Sequence, residues 1–318
     1  MKKSIVSYAL SLAAGWAWGV SLIVGMQTLQ TKGILPFLIW AIANSLALPL
    51  FGYLAFRIKK LHRVVDSKIV QVFTTLVMVF CLLIQMNSIH DILKGTGIFN
   101  DIWCKIIPIG ISVVMALGLF HNGLIRNILI DCPLWALCYI VLLILLIIGV
   151  FSGTERYNLV LFNNKDDLAW ALNSSLILFA GPFMNIQNWQ MAEKIHKEKV
   201  LEISHVLAGI FFAVYMIMVA LLSMFHFTKL MGLVQVIAIL CITCTTIDAS
   251  IVGMQKIAGE KVGLIIAVVT IVFWQKFISL GVLELWTIMG NWRKYVAIVC
   301  VIVALLWQRK ERSMKTRR

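Results

Sequence analysis

The sequence predicts an all-α polytopic membrane protein: one membrane domain of ten transmembrane helices, arranged as a five-plus-five inverted repeat with discontinuous helices 1 and 6. Three observations predict it. First, the 318 residues are 61% hydrophobic and 13% charged, with a mean hydropathy of +0.94. A soluble domain carries roughly a quarter charged residues, and one globular core cannot bury this excess, so the bilayer is its solvent. Second, the apolar residues fall into stretches near the ~20 residues that cross about 30 Å of hydrocarbon. Third, the first and sixth stretches carry helix breakers at matching places.

The first stretch, 5–29, follows Met1-Lys2-Lys3 and meets no charge until Lys32. That is too long for the apolar core of a secretory signal peptide, so it reads as a retained first helix. Stretches 34–56, 67–89, 105–121 and 131–151 complete a first half, residues 1–151. Stretches 168–190, 203–226, 229–252, 262–281 and 284–308 form a second half, residues 152–318. Connections are short except 90–104 and 152–167, and no linker or soluble domain intervenes. Asn291-Trp292-Arg293-Lys294 interrupts the last stretch. Arg293 and Lys294 are expected in the outer part of helix ten, snorkelling or facing a water-filled vestibule.

The basic residues set the orientation. With a cytoplasmic N-terminus, the inside segments hold Lys2, Lys3, Arg57, Lys59, Lys60, Arg63, Lys68, Arg126, Lys194, Lys197, Lys199, Lys256, Lys261 and the six of 309–318. These are 19 of the 28. An even helix count then places both termini in the cytoplasm and the chain in the plasma (inner) membrane. The net charge of +14 forms no basic domain to lie along a phosphate backbone, so no nucleic-acid partner is expected. Anionic lipid, worth ~1 kcal/mol per basic residue near the leaflet, is its natural partner. The seven Cys are scattered, and the single CxxC, Cys241 to Cys244, lacks a second ligand pair. No metal beyond a coupling ion and no cofactor are expected.

An odd number of helices per half makes the second half enter the membrane from the opposite side, as in many transporters. The first helix contains Gly15-Trp16-Ala17-Trp18-Gly19, with Gly25 beyond. The sixth contains Ala180-Gly181-Pro182 followed by Asn185-Ile186-Gln187-Asn188-Trp189-Gln190. Pro182 removes a backbone donor and clashes with the preceding turn. Opened backbone survives in a membrane only against protein or a wet cavity; glycines that merely allow close helix packing are the alternative. In helix eight, Thr243-Cys244-Thr245-Thr246-Ile247-Asp248-Ala249-Ser250 places an acid well inside an apolar stretch. Its hydroxyls, with carbonyls from an unwound helix, suit a hard monovalent cation. Equally, Ser and Thr bond their own helix carbonyls while Asp248 snorkels to the interface.

Thr245 to Ser250 resembles the S-T-x-D-S stretch in the eighth core helix of sodium:solute symporters. Gly181 to Ala192 resembles the D-Q-x-x-W-Q-x-A region of that family's urea-type members, at looser spacing, and Gly15 to Gly25 is similar to its small-residue first core helix. The resemblance implies the LeuT-type inverted repeat of the APC superfamily. It also implies a sodium site built from the Thr245 and Thr246 hydroxyls, the Ile242 carbonyl, and carbonyls at Gly15 and Trp18, these last to within one residue. Substrate is implied between the breaks, near Ala17, Gly19, Ser21, Gly181, Pro182, Asn185 and Gln187. The sequence departs from the family where Ala17 and Asn185 replace acids found at the two breaks of some members.

The expected function is secondary active transport: cation-coupled symport, by Na⁺ or H⁺, of a small solute by alternating access, with Asp248 as a proton-carrying or gating candidate. Without a fixed charge at either break, a neutral or zwitterionic solute is expected. A non-transporting sensor or assembly protein that kept the fold is the alternative. An enzyme is not expected, because His62, His90, His121, His196, His205 and His226 lie mostly at loop edges without catalytic spacing. Asn44, Gln85 and Asn87 suit a pathway or interhelical hydrogen bonds. Trp103, Trp135, Trp170, Trp286 and Trp307 fall where interface anchors belong; Trp16 and Trp18 do not, and are candidates to stack on or gate a solute, with core packing the more ordinary role for either alone.

Overall fold

The computed structural model describes all but residues 1–4, 59–60, 119–122, 154, 196 and 317–318, and the side chains of 123–128 and 312–316 are likewise outside the description. The readings on Lys2, Lys3, Lys59, Lys60, His121, Arg126, His196, Arg312, Lys315, Arg317 and Arg318 therefore lie outside the described residues.

In hydrocarbon every backbone N–H must pair within its own segment, which makes helices the available spanning form for such apolar stretches. The described residues are all-helical apart from turns and one isolated bridge, Arg156 to Phe225. In order they form α1 (Ile5–Trp16), α2 (Gly19–Thr31), α3 (Ile34–Arg57), α4 (Leu61–Val65), α5 (Lys68–Gly95), α6 (Asp101–Gly118) and α7 (Gly123–Phe151). Then come α8 (Lys165–Ala180), a 3-10 turn (Pro182–Met184), α9 (Ile186–Ile195), α10 (Glu198–Leu222), α11 (Lys229–Ala258) and α12 (Glu260–Phe273). A second 3-10 turn (Trp274–Leu280) leads to α13 (Gly281–Thr316). By length and composition the described residues hold 7 helices able to cross a membrane, and up to 9 if each of two bent pairs is one span.

The bent pairs sit where the sequence carries its breakers. α1 and α2 meet at 64°, and Lys165–Met184 meets α9 at 49°. Neither break faces lipid: Ala13, Ala14, Trp16, Ala17 and Trp18 are buried, as are Pro182, Phe183, Met184 and Asn185. α1 packs on α7, α10 and α11, while α8 packs on α3 and α13. Away from the breaks, apolar side chains are exposed on many helices: Ile69 and Phe151 are 85% and 84% exposed, and Leu172 of α8 is 60% exposed.

Three boundaries differ from the sequence reading. α7 begins at Gly123 rather than 131, so Asp131 enters the helix and is fully buried, accepting a hydrogen bond from Ser11 Oγ (2.6 Å). Asp248 thus shares the buried interior with a second acid. α10 runs from Glu198 to Leu222 instead of 203–226, because Phe225 and His226 join the loop at 155–157. Predicted stretches 262–281 and 284–308 form one apolar helical run, Glu260–Glu311, interrupted at Trp274–Leu280. Gly281 ends that interruption at φ 67°, a conformation only glycine adopts freely. Trp274 Nε1 donates to Asn87 Oδ1 (2.7 Å), and Asn87 Nδ2 donates to the Phe277 carbonyl (3.1 Å), tying this turn to α5.

Candidate functional site

The first break is Ala17-Trp18. The Ala17 N–H still reaches the Ala13 carbonyl (2.9 Å), but Trp18 is extended at φ −81°, ψ 158°. A helix start has orphan N–H groups, and here α5 answers one: the Gly19 N–H donates to Gln85 Oε1 (2.8 Å). Trp16 Nε1 donates to the Asn44 carbonyl on α3 (3.0 Å), and Trp18 Nε1 to the Gly15 carbonyl (3.2 Å). Ser21 Oγ donates to the Trp18 carbonyl (2.6 Å) and lies 3.0 Å from the Tyr215 hydroxyl on α10.

The second break is closed by its own side chains. Asn188 Nδ2 donates to the Pro182 carbonyl (3.2 Å), and Trp189 Nε1 to the Phe183 carbonyl (2.8 Å). Asn185, extended at φ −100°, ψ 110°, accepts from the Gln187 N–H on its Oδ1 (3.0 Å) and so starts α9. Asn185 therefore orders the backbone at the second break.

Each break lends a glycine to the other. A Cβ on Gly181 would stand 2.4 Å from the Trp16 indole, and one on Gly15 would stand 2.4 Å from Gln187 Oε1. The indole and the amide occupy the space that side chains at these positions would need. Gly19 is equally pressed, by Ser88 of α5 at 2.4 Å.

The α11 hydroxyls divide. Thr245 Oγ1 lies within hydrogen-bond reach of the Ile242 carbonyl (2.7 Å) and, across the interface, of the Ala14 carbonyl (3.1 Å) in the last turn of α1. The contact falls one residue before Gly15. Thr246 Oγ1 turns to the carbonyls of its own helix, Ile242 (3.1 Å) and Thr243 (3.2 Å), as Ser250 does with Thr246. Of the five implied cation ligands, the structure thus brings Thr245 and Ile242 to the edge of the first break. The Gly15 and Trp18 carbonyls there are already engaged, by the Trp18 indole and by Ser21. Asp248 is fully buried, which corrects the reading that it snorkels to the interface.

Arg293 corrects another. It is 1% exposed and Lys294 is 8% exposed, so neither snorkels. Lys294 Nζ donates to Asn173 Oδ1 of α8. Arg293 Nη2 donates to the Ile177 carbonyl (3.3 Å), and its guanidinium lies 5.4 Å from the centre of the Trp18 ring. A fixed cation therefore stands at the first break, where the sequence reading had none. It lines a cavity with Trp16, Trp18, Ser21, Trp40 and Trp286. The space open to the centre of a water-sized sphere is about 10 Å³, close to the room of a single water. The hydropathy pattern gave no signal for this, because a cation amid apolar residues looks the same in one dimension whether it points outward or inward.

Of the tryptophans taken as interface anchors, Trp103 and Trp307 are exposed, whereas Trp135 and Trp286 are buried. Trp170 lies 5.1 Å from the Lys32 ammonium at its ring face. The chain matches no protein-family model and no curated protein sequence, so the paired breaks, the α11 hydroxyls and the Arg293 cavity are the ground on which a functional reading rests.

Proposed function

We propose that this chain is a secondary active transporter that couples a cation to the movement of a small solute by alternating access. The observation that carries the reading is the pair of buried helix breaks, each with a glycine filled by a side chain of the other. Transporter sites form where two discontinuous helices meet between repeats. On this reading the interruption at Trp274–Leu280 and Gly281 separates ninth and tenth spans, the halves are related by an inverted repeat, and both termini are cytoplasmic in the plasma membrane.

The coupling ion is Na⁺, held where Thr245 meets the Ala14 carbonyl. Hydroxyl and carbonyl oxygens are its natural ligands, and ion binding there would favour one packing of α1 against α11. Coupling to H⁺ is the second reading, favoured by the burial of Asp131 and Asp248. The test is gradient-driven uptake into proteoliposomes, with sodium and pH gradients imposed separately. Uptake driven by sodium and lost in Thr245→Ala supports the first reading. Uptake driven by the pH gradient alone and lost in Asp131→Asn or Asp248→Asn replaces it with the second. A protein that folds, binds solutes and moves none would instead be the sensor or assembly protein.

A further inference from the structure

Arg293 is an expensive residue to keep where it is. Isolated charges in a low-dielectric interior give up their hydration without return unless paired. Its Nη2 has the Ile177 carbonyl, and its face has the Trp18 ring. Among the described residues, however, Nε and Nη1 have no hydrogen-bond partner, and the ion pairs all use other cations. The same cavity receives a second unanswered donor, the buried Trp40 Nε1. No acidic residue lines it. Arg293 and Trp40, which carry these unanswered donors and one fixed positive charge, thus both line a small space walled by tryptophan. The groups left over are all donors, and they call for an acceptor bearing negative charge.

We infer that Arg293 and Trp40 bind the carboxylate of the transported solute, which is a small monocarboxylate whose apolar remainder sits among Trp16, Trp18 and Trp286. The inference rests on the carrier reading for its direction of use, and on the Arg293 cavity for its chemistry. A guanidinium matches the planar carboxylate and is charged at any working pH. No carboxylate lines the cavity to pair with an ammonium group, which favours a monocarboxylate over an amino acid. The limited space favours solutes of few heavy atoms, and tryptophan side chains must move aside to admit them. The proposal departs from the expectation of a neutral or zwitterionic solute.

Four of the 11 tryptophans line the cavity, so tryptophan fluorescence of the purified full chain in lipid nanodiscs reports binding. Propionate, butyrate and benzoate are titrated beside propionamide, alanine and chloride. A saturable response to at least one monocarboxylate is expected, at least tenfold weaker for its amide, for alanine and for chloride. In Arg293→Gln the response should weaken at least tenfold, with partial retention in Arg293→Lys. Trp40→Phe, which keeps a ring and removes the N–H, should weaken it several-fold and serves if Arg293→Gln does not fold. Equal responses to amide, alanine or chloride, affinity indifferent to both Arg293→Gln and Trp40→Phe, or silence towards all three monocarboxylates in folded protein would each overturn the inference. Uptake measured in parallel separates the two layers. Binding that depends on Arg293 without gradient-driven uptake contradicts only the carrier reading, whereas gradient-driven uptake of propionamide or alanine unaffected by Arg293→Gln contradicts only the carboxylate.

Discussion

Three glycines at the breaks face different neighbours, and the neighbours decide what a methyl group costs. At Gly19 an added Cβ meets Ser88 Cβ and Oγ at 2.4 Å, and so short a side chain on a buried helix has nowhere to retreat. Gly19→Ala is therefore expected to destabilise by about 1–3 kcal/mol, the range for overpacking. At Gly15 the obstacle is the far end of Gln187, which swings away by rotamer change, so Gly15→Ala should cost under about 1 kcal/mol. Thermal unfolding in detergent checks the order; equal losses at both positions would contradict the packing described. The glycines were legible from the sequence as breakers, because Gly and Pro punctuate apolar stretches. Their partners were not, since Ser88 and Gln187 lie far from them along the chain. Asp131 was missed for a related reason: it stands at the boundary where the apolar run begins, and only the longer α7 carries it inside.

The broken helices owe their shape to hydrogen bonds from outside as much as to their own residues. α2 begins at Gly19 with its N–H on Gln85 Oε1, so removing that acceptor strands a buried donor. Gln85→Leu is expected to cost about 1–3 kcal/mol, and a loss near zero in thermal unfolding would mean the first break is held otherwise. Thr245 joins α11 to the last turn of α1. Thr245→Ala should cost about 1 kcal/mol in stability and, on the proposed function, abolish the sodium dependence of uptake. Thr246→Ala should do less, because its hydroxyl stays on its own helix carbonyls; a larger effect from Thr246 would move the ion site. The sequence placed these elements because their hydropathy and breakers are local properties. It did not reveal that Thr245 and Thr246 point to different acceptors, since adjacent helical residues face directions about 100° apart. The interruption at Trp274–Leu280 begins several residues before the gap expected at 282–283, since no proline marks it and its anchor Asn87 lies on another helix.

Ionic contacts hold the bundle at both ends. α3 is 24 residues long, about 36 Å at the helical rise, and separates Lys32 before its start from Arg57 at its end. At the Lys32 end, Lys32 Nζ pairs with Asp167 (2.8 Å), joining α2 to α8. At the other, His62 and Lys256 both approach Glu193 of α9, at 3.0 and 3.4 Å. Each cluster thus ties one arm of a broken helix, and on the proposed function the two open in turn. Lys32→Ala is expected to raise the accessibility of the cavity from its own end, and Glu193→Gln from the opposite end. The most direct measurement is thiol labelling of Ser21→Cys, at the wall of the Arg293 cavity, in sealed vesicles with the seven native cysteines replaced. An impermeant reagent added from either side should label it, with Lys32→Ala and Glu193→Gln speeding opposite sides. Labelling from one side only, or from neither, in all three proteins would contradict a solute site shared between two alternating openings.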